Sequence, residues 1–506
     1  METSIDHTME KPEKASLDIR FTDITSAELQ RDRSPRAWLN KIASWGIELR
    51  GIAPVPIEER TDKRFINVFF VWFTMSTNLL PIVTGMVGTL SYGLSLRDAS
   101  LVILFFSLFC SIFPAYMGTF GAKTGLRQML HSRFTFGYYL ITIIVILNLC
   151  TIAGFGIIDC VLGGMTLSAV SDGKINATAG IVIIAICGMV ISFGGYKTLH
   201  QFERYSWIFA LVAILVATGV GGKHLSTQVV TEPASGSTIV SFAGVIAGFL
   251  IPWAAMSSDF AVYCDPSVSS WRIFAYIYGG LLVPSVPLMV LGAAIGATTP
   301  MIPSWEAGYD SYSAGGVLEA MLHPVGGFGK FISVLLAFSL LGNLAAAMYS
   351  ISLNFQIVIP IMRRIPRLFF TIIYTAVAIP VSIYAAKSFF NSLENFLYVI
   401  AYWSAGFIGV VMTEHFLFRK GNFDEYDPDS CESPRRLPSG IAGIVAMALS
   451  FGLIVPCMGQ AWYTGPLAET TGDLGFEVAL VLAPILYVPI RVIELKFCTT
   501  RFNKSN

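Results

Sequence analysis

A carboxylate, an indole and a carboxamide stand in this chain where lipid-facing segments would not keep them. Asp159 lies in "FGIIDCVLGG" (155–164), within a stretch from Phe134 to Val170 that is otherwise apolar apart from hydroxyls, Asn148 and glycines. A carboxylate at membrane depth costs roughly 3 kcal/mol on insertion scales, so it needs a partner, a proton or a ligand. On a helix, Asn148, Ile152, Phe155 and Asp159 share one face, because their spacing returns to nearly the same angle. Gly163 and Gly164 follow a turn later and would let another helix approach closely. Trp253 directly follows Pro252 in "GFLIPWAAMSSDF" (248–260), with Ser257, Ser258 and Asp259 behind it. Asn343 follows Gly342 in "LLGNLAAAMYS" (340–350) and offers both a donor and an acceptor, which suits the edge of a heterocycle. Each has a plainer reading: a protonated Asp bonded to backbone, an interfacial Trp anchor, an Asn that glues two helices. Together, Phe155 and Trp253 as a stacking face, with Asp159, Asn343 and Ser258 as polar contacts, describe a pocket for a small planar polar molecule. Asp259 reads as a cap or a gate contact.

Such a pocket needs elements to hold it, and composition says which. Hydrophobic residues make up 54% and charged residues 13% of the 506, against about 25% charged in soluble domains. Apolar runs of the roughly 20 residues that span a bilayer recur from Phe65 almost to the end, which makes an all-α polytopic membrane protein. Zero net charge gives no reason to expect a nucleic-acid partner. Residues 1–64 are polar, lack the apolar core of a signal peptide, and read as a cytoplasmic tail. The eight cysteines show no CxxC spacing and read as packing residues, and the six histidines fall in tails, loops or helix ends. Neither a metal, a cofactor nor a catalytic cluster is expected, so an enzyme is disfavoured.

Twelve helices are predicted, at about 65–93, 98–118, 135–166, 177–195, 204–222, 239–264, 272–297, 328–353, 368–387, 392–418, 438–458 and 475–496. Basic residues such as Lys123, Arg127, Arg133, Arg272, Arg363, Arg364, Arg419 and Arg435 gather on one side, which puts both termini in the cytoplasm. The sequon Asn176-Ala-Thr178 then falls outside, as a glycosylation candidate. Helix one is interrupted by Asn78, Pro81 and Gly85, helix six by Pro252, and helix eight by Gly342-Asn343. Freed backbone is tolerated in a membrane only beside protein or water, and corresponding breaks in two halves point to a transporter's midplane site. The chain therefore divides into repeat one (65–222, helices 1–5), repeat two (239–418, helices 6–10), a cytoplasmic loop (419–437), helices 11 and 12 (438–496) and a cytoplasmic tail (497–506). Pro81, Gly85, Pro252 and Gly342 are expected to line the site.

From "RGIAPVPIEERTD" (50–62) through helix ten, the chain resembles fungal purine–cytosine permeases of the nucleobase–cation symporter family. The resemblance rests on that preamble, "TGMVG" (84–88), "IIDCVLGG" in helix three, "FGGYKTLHQFERYSWI" (193–208), "SSDFAVY" (257–263) and "SLLGNLAAAMYS" (339–350). It implies a LeuT-like fold with an inverted five-helix repeat plus two helices, alternating access, and nucleobase uptake with protons; the basic tail "RFNKSN" shows no retention or lipidation signal, so the plasma membrane is the expected destination. Trp253 and Ser258 fit the family pattern. Phe155 and Asp159 stand where these permeases commonly carry Trp and Asn, and of the helix-eight Asn-Asn-x-Pro-Asn pattern only Asn343 remains. The stacking face is thus retained while the hydrogen-bonding edge is rewritten, and a carboxylate there favours a ligand with positive charge or several N–H donors. Asp159 is also the candidate for the coupling proton. Leu341-Gly342 replaces the hydroxyl residues of sodium-coupled relatives. A vitamin B6 type or specialised metabolite carrier, and a non-transporting sensor, are the alternatives. Oligomeric state is left open.

Overall fold

Backbone polar groups in lipid must be paired within the chain, and this protein meets that condition almost wholly with helices. The computed structural model of the protein describes residues 54–63, 66–193, 195–358 and 367–502. Most of the expected N-terminal tail, the loop bearing Arg363 and Arg364, and the last residues lie outside them. The helices are α1 (Ile66–Ser76), α2 (Leu79–Leu90), α3 (Leu96–Cys110), α4 (Ile112–Thr124), α5 (Ile141–Val170), α6 (Ala177–Phe193), α7 (Gly195–Gly221) and α8 (Gly236–Leu250). After them come α9 (Ser270–Thr298), α10 (Pro303–Leu322), α11 (Gly326–Phe338), α12 (Leu340–Val358), α13 (Arg367–Ala385), α14 (Phe389–Thr413), α15 (Ile441–Ile454) and α16 (Gly475–Phe502). A short antiparallel ribbon, Gly459–Gln460 with Tyr463–Thr464, lies between α15 and α16.

Among the described residues, eight continuous helical stretches are long and apolar enough to cross a membrane, or nine with α1 and α2 counted as one bent span. Two of the eight, Pro303–Ser352 and Leu368–Phe418, run to 50 and 51 residues. At 1.5 Å per residue these exceed twice the roughly 30 Å of a bilayer core, so each must turn back on itself. Residues 177–193 and 441–457 form shorter apolar helices.

The interruptions have specific causes. The axis bends by 54° between α1 and α2, and Asn78 makes the break. Its backbone is extended, its Oδ1 accepts from the Leu80 N–H at 2.8 Å and its Nδ2 donates to the Met75 carbonyl at 2.8 Å. One side chain thereby closes two helix ends. Pro81, which the sequence suggested as the breaker, sits in the first turn of α2, where a missing N–H leaves no gap. The sixth span was expected over 239–264 with an interruption at Pro252. Helix α8 ends at Leu250 and the chain continues as two 3₁₀ turns, Ile251–Ala255 and Ser257–Phe260. Pro252 starts the first turn, and the Ser257 and Ser258 hydroxyls then donate to the Pro114 and Met117 carbonyls of α4, at 2.6 and 2.8 Å. The eighth span is jointed at Ser339, between α11 and α12 and ahead of Gly342. The Ser339 hydroxyl accepts from the Leu79 N–H at 3.2 Å, so the joints of the first and eighth spans are tied directly.

Residues 298–327, read from sequence as a loop, contain α10. It is kinked at Tyr312–Ser313, where Ser313 has a φ of 53°, and its two arms fold together with Gly308 against Gly316. Glycines also set two close helix crossings. Gly85 of α2 abuts the Met289 carbonyl of α9, and Gly292 of α9 abuts the Ile82 carbonyl of α2. Gly164 of α5 meets Ile181 and Gly180 of α6 in the same manner. Small residues let backbones approach where lipid provides no hydrophobic drive.

Candidate functional site

The α5 helix is uninterrupted over 30 residues and presents Phe155 and Asp159 one turn apart on the same face. α12 places Asn343 opposite, and the 3₁₀ turn after α8 places Trp253 beside Phe155. Asn343 Nδ2 donates to Asp159 Oδ2 at 2.7 Å. Asp159 is fully buried (0% exposed) and makes no ion pair among the described residues, while its second oxygen, Oδ1, has no hydrogen-bond partner. The Phe155 and Trp253 rings stack with centroids 5.8 Å apart and planes inclined by 23°. Trp253 Nε1 is likewise buried without a partner. The four residues therefore meet in one enclosed place.

Further groups, not singled out by sequence, complete the walls. Phe396 of α14 stands edge-on to Phe155 at 5.1 Å and 89°, and Trp72 of α1 stands edge-on to Trp253 at 5.8 Å and 88°. Tyr374 of α13 donates to the Ala153 carbonyl at 3.0 Å and Ser382 donates to the Ile157 carbonyl at 3.3 Å, fixing α5 from behind. Trp403 Nε1 donates to Thr151 Oγ1 at 3.0 Å. Asn148, lower on the Asp159 face, is buried with its Oδ1 unpartnered. Phe396 and Trp72 are aromatics within apolar runs, and nothing local in the sequence sets them apart from ordinary core residues.

Other nominated residues have different neighbours. The Ser258 hydroxyl, buried, lies 2.8 Å from the Met117 carbonyl and 2.7 Å from Gln128 Oε1. Asp259 Oδ1 accepts from the Gln128 N–H at 2.7 Å and caps the short helix Gln128–His131, the capping role its sequence position suggested. Ser257, Ser258 and Asp259 thus fasten the unwound sixth span to α4 and to that helix. Gly85 is spent on the crossing with α9, and Gly342 faces Phe202 and Ser206 of α7. Asn176 is exposed and its Oδ1 accepts from the Ala179 N–H at 2.8 Å, at the start of α6.

Chemically, the cluster holds one unpartnered carboxylate oxygen, one unpartnered indole N–H and two aromatic rings stacked on each other. That set can recognise a planar polar guest; it contains no nucleophile aligned with a base.

Interrupted first and sixth spans around a buried polar cluster are the architecture of a secondary transporter. The fold is that of Mhp1, a nucleobase-cation-symport-1 family transporter of LeuT-like architecture. The match to its closed conformation with bromovinylhydantoin bound has a TM-score of 0.68, at 17% identity, over 89% of this chain and 97% of that one. Residues 54–478 match the family described as permease for cytosine/purines, uracil, thiamine, allantoin, and the chain belongs to that family. It is 32% identical to the purine-cytosine permease fcyB of Emericella nidulans over 483 residues, covering 94% of this chain and 93% of the relative. It is 31% identical to the purine-cytosine permease FCY2 of Saccharomyces cerevisiae, over 97% and 96% of the two chains. The vitamin B6 transporter TPN1 of the same yeast is more distant, at 25% identity over 92% and 91%. The protein is a multi-pass membrane permease and not an enzyme.

Proposed function

We propose that this permease imports a small planar heterocycle of the nucleobase type, a cytosine or purine, by proton symport with alternating access. The observation that carries the reading is the Asp159–Asn343 pair beneath the Phe155–Trp253 stack. A purine or pyrimidine has the flat face that stacks on such rings and the ring nitrogen or carbonyl acceptors to which a protonated Asp159 Oδ1 can donate. The two rings now touch each other, so a guest lying between them must part them by roughly one ring thickness, about 3.5 Å.

Charge accounts for the coupling. An ionised Asp159 enclosed with one neutral amide would be too costly to bury. Closing the pocket around a neutral base therefore favours a proton on the free Oδ1, acquired from the outside and released when the inner side opens. Neither Leu341 nor Gly342 carries a side-chain oxygen for a sodium ion. The distribution of basic loops supports cytoplasmic termini, the plasma membrane is the proposed location, and Asn176 remains the outer glycosylation candidate.

Radiolabelled uptake in a transport-null yeast, challenged with cytosine, adenine, pyridoxine and aromatic amines in sodium-free buffer, tests the proposal. Competition by cytosine or adenine at undiminished uptake supports it. Inhibition by pyridoxine or amines alone would move the substrate to the vitamin or amine class, and loss of uptake without sodium would overturn the proton assignment.

A further inference from the structure

A second polar hollow lies apart from the central pocket, against the opposite face of α14. It measures about 250 Å³ and is lined by Tyr92, just past α2, by Asn391, Glu394, Asn395 and Tyr398 of α14, and by Gln460 of the ribbon, among others. Glu394 and Phe396 are two residues apart on one helix, so they point to nearly opposite sides, and Phe396 is the residue that packs on Phe155. The hollow is therefore not an extension of the Asp159 site.

Proton bookkeeping around its wall decides what it can hold. Tyr402 donates its hydroxyl proton to Asp473, so the Gln460 Nε2 contact to the Tyr402 oxygen at 2.9 Å has to be a donation by the amide. That fixes the amide orientation and leaves Gln460 Oε1 buried and unpartnered. Tyr398 donates to the Ser241 carbonyl at 2.7 Å, so the 2.5 Å contact between Tyr92 and Tyr398 uses the proton of Tyr92. Asn395 Oδ1 is occupied by the Ala461 N–H at 2.9 Å. Glu394 Oε1 has no partner either, while the side chain also hydrogen-bonds Ser91 and Tyr92. Glu394 and Gln460 each keep one buried acceptor oxygen, and the Asn395 amide keeps its N–H₂ as a donor. Buried acceptors left unpaired are costly, so the wall favours a polar ligand that brings N–H donors.

We propose that this hollow is a second small-molecule site for a compact polar ligand bearing N–H donors, cationic or neutral. Its volume falls just below the roughly 300–1,000 Å³ of sites for drug-sized ligands, which admits a one- or two-ring molecule and is much larger than a bare cation needs. Two sources share this chemistry: the transported heterocycle itself, held outside the central pocket, and an external amidine or amine that is not transported. Only the choice of cytosine as a probe rests on the function proposed above.

Equilibrium binding to the purified full-length protein in lipid nanodiscs tests the site with two probes, labelled cytosine and labelled benzamidine. At least one is expected to bind in a manner that Asp159→Ala leaves intact and that Glu394→Gln and Asn391→Leu each weaken at least tenfold; the second variant fills the hollow without touching the carboxylate. Such binding of cytosine identifies the substrate as the occupant, and of benzamidine alone an external effector. If neither probe shows a component sensitive to both hollow variants, the site does not exist. Cytosine binding abolished by Asp159→Ala and indifferent to Glu394→Gln would overturn this inference for cytosine while upholding the central pocket. Absence of any Asp159-dependent cytosine binding would count against the central reading and leave the benzamidine result to judge the hollow.

Discussion

Replacing Asp159 with Asn should separate movement of substrate from its accumulation. The amide oxygen of Asp159→Asn can still accept from Asn343 Nδ2, so the 2.7 Å link between α5 and α12 survives. The bare Oδ1 becomes an N–H₂ group and the site can no longer gain or lose a proton. A pH difference of one unit is worth about 1.4 kcal/mol per proton, and a 100 mV potential adds about 2.3 kcal/mol per charge. One proton carried with each substrate could therefore sustain accumulation of roughly 500-fold. The variant has no coupling ion and should equilibrate its substrate to a ratio of about one. It keeps an N–H donor where the protonated Oδ1 stood, so at most one neutral hydrogen bond of about 0.5–1.5 kcal/mol is altered and KM should change by no more than about tenfold. The assay is steady-state accumulation and initial uptake of labelled cytosine or adenine in energised, transport-null yeast, with surface level checked by a fluorescent tag. Accumulation by Asp159→Asn within twofold of wild type, still dependent on external pH, would refute the coupling argument.

Substitutions at three other positions probe different parts of the account. Phe155→Ala removes one stacking face and should raise KM roughly two- to tenfold for every flat substrate without altering the pH dependence, whereas Phe155→Trp should retain uptake; saturation kinetics read both. Ser258→Ala leaves the Met117 carbonyl without its hydroxyl donor and should destabilise the protein by about 1–2 kcal/mol, with KM unchanged within twofold; a larger KM effect would place Ser258 among the substrate contacts after all. Gly85→Leu drives a side chain into the Met289 carbonyl and should abolish folded protein at the surface, measured by fluorescence-detected size exclusion.

What could be read from the sequence follows physical rules that act over short distances. The shared face of Phe155 and Asp159 needs only helical spacing, and the interruptions near Asn78, Pro252 and Gly342 need only the cost of unpaired backbone in lipid. Details settled by tertiary contact were not legible. Pro81 looked like the breaker, yet Asn78 breaks the helix because its amide can satisfy both helix ends. Ser258 looked like a ligand because it follows Trp253, yet a 3₁₀ turn aims it at α4. α10 was missed because its polar residues and its kink at Tyr312–Ser313 mask any single helical period. Phe396 comes from a span far along the chain, and only the packing of α14 on α5 brings it to Phe155.

The central claim is that a buried, otherwise uncompensated carboxyl takes up a proton when the pocket closes on its guest. Proton exchange on substrate binding measures this directly. Purified protein in weakly buffered detergent is mixed with cytosine or adenine while a pH indicator is followed, beside the Asp159→Asn variant. The account predicts net uptake of close to one proton per substrate bound by the wild type and none by the variant. Full substrate binding by the wild type with no proton uptake across the pH range of transport would contradict it.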